Sequence, residues 1–174
     1  DVGALSHWTK DVQVYDPSTS SEPTITTDIS GLDASGGWGA SEVVGGKLYC
    51  IGGVDASGSS GTDISRVRII DLSGNAGRVD ASNISVARRG MASAVVDSRY
   101  IYIIGGTVGP SGSSIDSSKV EVYDTSTNTI IHDLSSGLYD TNITRTILQF
   151  EGGVAHAVAG ADLSDNVYVI GGKR

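Results

Sequence analysis

The chain has very little of what catalytic and disulfide-held proteins lean on. A single cysteine, Cys50, among 174 residues excludes an internal disulfide framework and any cysteine-based zinc site. Only 3 prolines and 1 phenylalanine occur, and 12 Lys and Arg stand against 20 Asp and Glu. The resulting net charge of −8 repels phosphate backbones and anionic lipid, so no nucleic-acid partner is expected. No apolar run approaches the roughly 18 residues that a membrane-spanning helix requires, and no membrane span is expected. What the chain does have is glycine, 24 residues of it, and 39% hydrophobic residues, too many for a disordered tail.

The glycines fall in a repeat. Leu48-Tyr49-Cys50-Ile51-Gly52-Gly53, Ile101-Tyr102-Ile103-Ile104-Gly105-Gly106 and Val167-Tyr168-Val169-Ile170-Gly171-Gly172 share one pattern. Each is an apolar β-forming run halted by a glycine pair, which predicts a buried strand ending where positive φ is needed. A second strand-like stretch precedes each, at Ala40 to Val44, Ala92 to Val96 and Ala155 to Ala159. The connectors Gly45-Gly46-Lys47, Asp97-Ser98-Arg99 and Gly160 to Asn166 make hairpins of these pairs.

A further set begins at Val12-Gln13-Val14-Tyr15-Asp16, Val67-Arg68-Ile69-Ile70-Asp71 and Val120-Glu121-Val122-Tyr123-Asp124. Its opening alternation of apolar and polar residues predicts a strand wet on one face, and the Asp predicts a turn. Fourth strands are expected near Thr24 to Ile29, Arg78 to Ile84 and Thr129 to Leu134. Four strands recurring at about 50 residues are the unit of a propeller blade.

This pattern resembles the kelch repeat, and does so over essentially the whole chain. The middle copy matches best, from Arg89-Gly90-Met91-Ala92 through Ile104-Gly105-Gly106 to Tyr123-Asp124-Thr125. The Trp that usually follows the Tyr-Asp strand is absent. The resemblance implies an all-β, kelch-type β-propeller, with three blades' worth of strands per chain. Residues 1–31 read as the third and fourth strands of a split blade, and 32–84 and 85–135 as whole blades. Residues 136–174 read as the first and second strands of a split blade. The two halves are complementary. The interval from Gly53 to Ile70 equals that from Gly106 to Tyr123, and it recurs from Gly172 to Tyr15 if a second copy follows Arg174. Kelch rings use about six or seven blades. The expected partner is therefore a second copy closing six blades as a dimer, or the remainder of a longer kelch chain.

The chemistry expected is thin. His7, His132 and His156 show no ligand spacing, and no copper, iron or sugar-epimerising set of the kelch enzymes can be matched. The expectation is a protein with no catalytic residues, no metal and no cofactor, which binds a glycan or a protein. Trp38, Arg88, Arg89, His7 and Trp8 are the candidate ligand rim. Asp55 and Asp63 flank a hydroxyl-rich loop and are read as turn residues ahead of calcium ligands. Asn83-Ile84-Ser85 and Asn142-Ile143-Thr144 are glycosylation sequons, and Lys173-Arg174 resembles a furin-type processing site. These features point to an extracellular protein.

Overall fold

Gly45 and Gly46 both take positive φ, 57° and 74°, and between them turn the chain in a two-residue hairpin loop. Val44 and Lys47 are the closing pair, so Lys47 belongs to the strand. The next hairpin uses three residues, Asp97 to Arg99, with Asp97 and Ser98 at positive φ and Val96 opposite Tyr100. These turns set the register of everything that follows.

The computed structural model describes residues 12–14, 18, 24–26, 36–55, 61–72, 79–109, 115–133 and 154–173. Among them the strands are β1 (Val12–Val14), β2 (Thr24–Thr26), β3 (Gly36–Gly37), β4 (Ala40–Val44), β5 (Lys47–Ile51) and β6 (Val54–Asp55). Next come β7 (Thr62–Asp63), β8 (Val67–Asp71), β9 (Val79–Asp80), β10 (Ala92–Val96), β11 (Tyr100–Ile104) and β12 (Thr107–Val108). The last are β13 (Ile115–Asp116), β14 (Val120–Asp124), β15 (Thr129–Asp133), β16 (Ala155–Ala161) and β17 (Val167–Lys173). No helix occurs among the described residues, and none long and apolar enough to cross a membrane.

Two four-stranded antiparallel sheets, β4-β5-β8-β9 and β10-β11-β14-β15, repeat one topology. They also repeat one register: Ile51 opposes Val67 in the first and Ile104 opposes Val120 in the second. β1-β2 and β16-β17 form two-stranded sheets, and β3-β6-β7 and β12-β13 are small ribbons beyond the glycine pairs.

One core lies between the two large sheets, where Tyr49, Ile51 and Ile69 meet Ile101, Ile103 and Tyr123. The Tyr49 and Tyr123 rings meet edge-on there, 6.0 Å apart. The second core lies between the β10-β11-β14 strands and β16-β17, where Tyr102, Ile104 and Val122 meet Ala157, Val167 and Val169. Alternate residues of β11 therefore serve opposite cores, which is why its apolar run shows no alternation.

Four expectations are corrected. β8 and β14 are not wet on one face: Arg68 and Glu121 are both buried, Glu121 on the side of β14 that faces the first core. β9 is shorter than the expected fourth strand, and Ile84 leaves the strand to fill the first core, its N–H donating to the Ser65 carbonyl, while residues 27–29 of the earlier fourth strand lie outside the described residues. β17 runs through Gly171 and Gly172 instead of stopping before them, with Ala157 opposite Gly171 and Ala155 opposite Lys173. In the two earlier repeats the glycine N–H groups are drawn off to carbonyls outside the hairpin, Gly52 to Arg66, Gly53 to Arg88, Gly105 to Lys119 and Gly106 to Val154. β16 likewise runs on to Ala161, so its turn is tighter than Gly160 to Asn166. The Asp162 carboxylate organises that turn, accepting from the Ser164 and Asn166 N–H groups and from the Tyr168 hydroxyl. With the bond from the Asn166 side-chain amide, the largest of these effects, they hold its pKa down at about 2.

Candidate functional site

The entry to each hairpin takes the same form on the rim that the glycine pairs occupy. Register places Trp38 opposite Gly53, Gly90 opposite Gly106 and His156 opposite Gly172. All three entry residues are left-handed, with φ of 60°, 64° and 57°. They are joined in series from sheet to sheet. The Gly90 N–H donates to the Trp38 carbonyl at 2.6 Å, and the His156 N–H donates to the Gly90 carbonyl at 2.8 Å. Gly90 has no Cβ for a reason, since one would lie 2.8 Å from Cε1 of the exposed His156 ring.

Trp38 is the exposed aromatic of this rim, 57% accessible. The Arg89 guanidinium lies 5.9 Å from its ring centroid, within cation–π range. Arg89 is itself held: its Nη1 donates to the Asp63 carboxylate and, at 2.9 Å, to the Gly109 carbonyl. Asp63 in turn accepts the Gly109 N–H at 2.9 Å. Backbone bonds to Thr107 in both directions fix Arg89 further. The result is a Trp ring backed by a rigid, buried cation.

Arg88 behaves differently from the expectation of a rim contact. Its side chain is fully buried and pairs with the equally buried carboxylate of Glu121, which also accepts the Ser85 N–H at 2.8 Å. The ion pair ties the connector between the two large sheets to β14. Arg89 is likewise largely buried, so of the three described rim candidates only Trp38 offers its side chain to solvent. His7 and Trp8 lie outside the described residues, as do Asn142 and Arg174. Asn83 is exposed on the connector, and Lys173 is exposed at the end of β17.

Asp63 was legible only as a loop acid, and its role as the anchor of Arg89 has no local sequence signal. Asp124 serves its turn by accepting the Ser126 N–H, and Arg99 grips it bidentately. Those Arg99 bonds hold its carboxyl well below the usual range, against the opposing effect of burial. Cys50 is a half-buried thiol whose pKa is pushed up by burial, with Arg68 opposing. Among the described residues no group of three or more His, Cys, Asp or Glu is placed to hold a metal.

Residues 39–76 and 88–129 each match the family model described as the Kelch motif. Among solved structures, one titled "Structure of YjhT" is similar at 18% identity with a TM-score of 0.58. The similarity covers 79% of this chain and 34% of that one, so this chain spans about a third of its length. No curated protein matches the chain.

Proposed function

The chain is a kelch-repeat protein with a fold of the β-propeller type, and from that premise we propose that it is a non-enzymatic binding module. It acts outside the cell and engages a glycan or a protein surface at the rim. Trp38 carries this reading. A bulky residue in the left-handed region costs about 1–2 kcal/mol, and the next repeat avoids that cost with Gly90. Here the strain is kept, and it presents an indole to solvent with a fixed cation against it. Such a platform stacks a sugar ring or an apolar side chain, as Trp does in binding hot spots.

Glycan-array and surface pull-down experiments test it. Trp38→Ala should weaken the binding found there by roughly tenfold or more, about 1.4 kcal/mol. Binding that survives Trp38→Ala unchanged moves the site away from this rim.

A second reading concerns assembly and has its own support. Val158, Tyr168 and Ile170 form an exposed apolar face on β16-β17, 54–71% accessible. Their counterparts in the preceding sheet, Ala92, Tyr102 and Ile104, are buried in the second core. We read this face as one that another kelch sheet covers, closing a ring of six blades from two chains. A head-to-tail join would instead build a filament, and light scattering separates a discrete dimer from a ladder. Membership of a longer kelch enzyme or intracellular adaptor is the competing reading. Mass spectrometry of the natural protein tests it through chain length, a processed end at Arg174, and glycan on the exposed Asn83.

A further inference from the structure

Arg89 is held by two successive repeats. Its backbone is bonded in both directions to Thr107 on β12. Its Nη1 donates to Asp63 on β7 and to the Gly109 carbonyl just beyond β12. The ribbons that follow two successive glycine pairs thus hold one guanidinium between them. Trp38, Asp63, Arg89 and Gly109 all belong to the two repeats with four-stranded sheets, so both walls of this site lie within the chain.

Nη1 is the one nitrogen that this anchoring uses. A guanidinium has five N–H donors, and its Nε–Nη2 edge is a fork that takes two neighbouring acceptors at once. Among the described residues nothing accepts from Nε or Nη2 of Arg89. The same two nitrogens of Arg88 also lack partners, but they are sealed from solvent, and those of Arg89 are not. The Arg89 side chain is only 8% exposed, so its open edge is fixed in place beside the exposed Trp38.

We infer that this edge and the indole together bind a neutral pyranose. Two neighbouring hydroxyl oxygens of the sugar accept from Nε and Nη2, and its C–H face stacks on Trp38. The inference rests on the rim-binding reading above and names its ligand class. Charge selects the neutral sugar. Asp63 already neutralises the guanidinium and the chain carries −8, so an incoming carboxylate gains little attraction at the site and meets repulsion from the whole. The donors remain, without net charge. An apolar protein side chain on Trp38 would cover the fork and leave its donors unmet, which is costly. A sugar offers an apolar face and paired acceptors in one ring.

The full chain is titrated calorimetrically with neutral, acidic and amino oligosaccharides. Cellohexaose and mannopentaose are the neutral probes, standing for structural polysaccharide and protein-linked glycan. A neutral sugar should bind, with its affinity unchanged in about 1 M salt, where charge attraction is screened within ~3 Å. Replacing one of the paired hydroxyls of that sugar by hydrogen should weaken binding roughly tenfold or more. That comparison needs no altered protein. Arg89→Lys keeps the cation but has no fork, and should lose as much once a thermal melt shows that it folds. Full-strength binding of the deoxy sugar, with Trp38→Ala still weak, overturns the fork and leaves the rim reading standing. Binding confined to oligogalacturonate, or abolished by salt, overturns the neutral class. No binding to any of these sugars overturns the inference, and a protein captured only when Trp38 is present would then keep the rim reading alone.

Discussion

The Trp38 carbonyl accepts the Gly90 N–H at 2.6 Å, and the two residues hold the same left-handed conformation one repeat apart. The backbone requirement is thus a property of the repeat, and the side chain is free to differ. One repeat meets it with glycine, another with an exposed indole and a third with His156. Where the backbone is dictated and the side chain is not, variation goes into whatever the rim contacts.

Gly90→Ala should lower stability by about 1–2 kcal/mol from the left-handed backbone alone. The added Cβ must also displace the His156 ring. Gly90→Ala combined with His156→Ala removes that clash and should return part of the loss. Urea midpoints of the two variants measure the difference, and equal midpoints would mean that the ring yields freely.

Glycine pairs and turn glycines should respond very differently to alanine. A Cβ on Gly105 would sit 2.1 Å from the Val154 carbonyl oxygen, a backbone atom held by the second core. Gly105→Ala should therefore cost more than ~3 kcal/mol or prevent folding. Gly46, at φ 74°, has nothing within 4 Å of that position, so Gly46→Ala should cost only about 1 kcal/mol. Thermal melts followed by near-ultraviolet circular dichroism check the contrast.

The buried Arg88–Glu121 pair predicts a non-additive pair of substitutions. Arg88→Met strands the Glu121 carboxylate in the interior and should cost about 3–5 kcal/mol. Arg88→Met with Glu121→Leu removes the stranded charge and should be markedly less destabilised than the single variant. A double-mutant cycle by chemical denaturation reads this directly, and additive losses would count against a coupled pair.

Asp124 sets an acid limit. Its folded-state pKa is depressed by Arg99, so it binds fewer protons folded than unfolded as the pH drops. The stabilisation is complete above the unfolded carboxylate value near ~4 and is lost as pH falls below it. Asp124→Asn should be less stable than the parent at pH 7, with the gap narrowing below about pH 4. Denaturation midpoints across that range provide the check.

Much of this architecture was legible in one dimension. The hairpins at Ala40 to Ile51 and Ala92 to Ile104 fall within a residue of expectation, because apolar runs halted by glycine pairs leave few other ways to fold. The polar positions of the third strands were not legible. Arg68 and Glu121 look like solvent contacts by alternation, yet both are buried, Glu121 in the space between the two large sheets. Arg88 and Arg89 were legible as a basic pair near the rim, but their different fates depend on Glu121 and Asp63, which are distant in sequence.

The sequence by itself determined the repeat and the succession of its strands along the chain, because glycine placement and β-forming runs are local constraints on the backbone. Tertiary structure alone decided which charges are scaffold and which aromatic meets solvent, because burial depends on what packs across each sheet. The scarcity of cysteine, proline and positive charge narrowed the chemistry. The stacked sheets then took Arg88 and Arg89 into the scaffold and left Trp38 exposed, since an ion pair can be buried when its partner is buried with it.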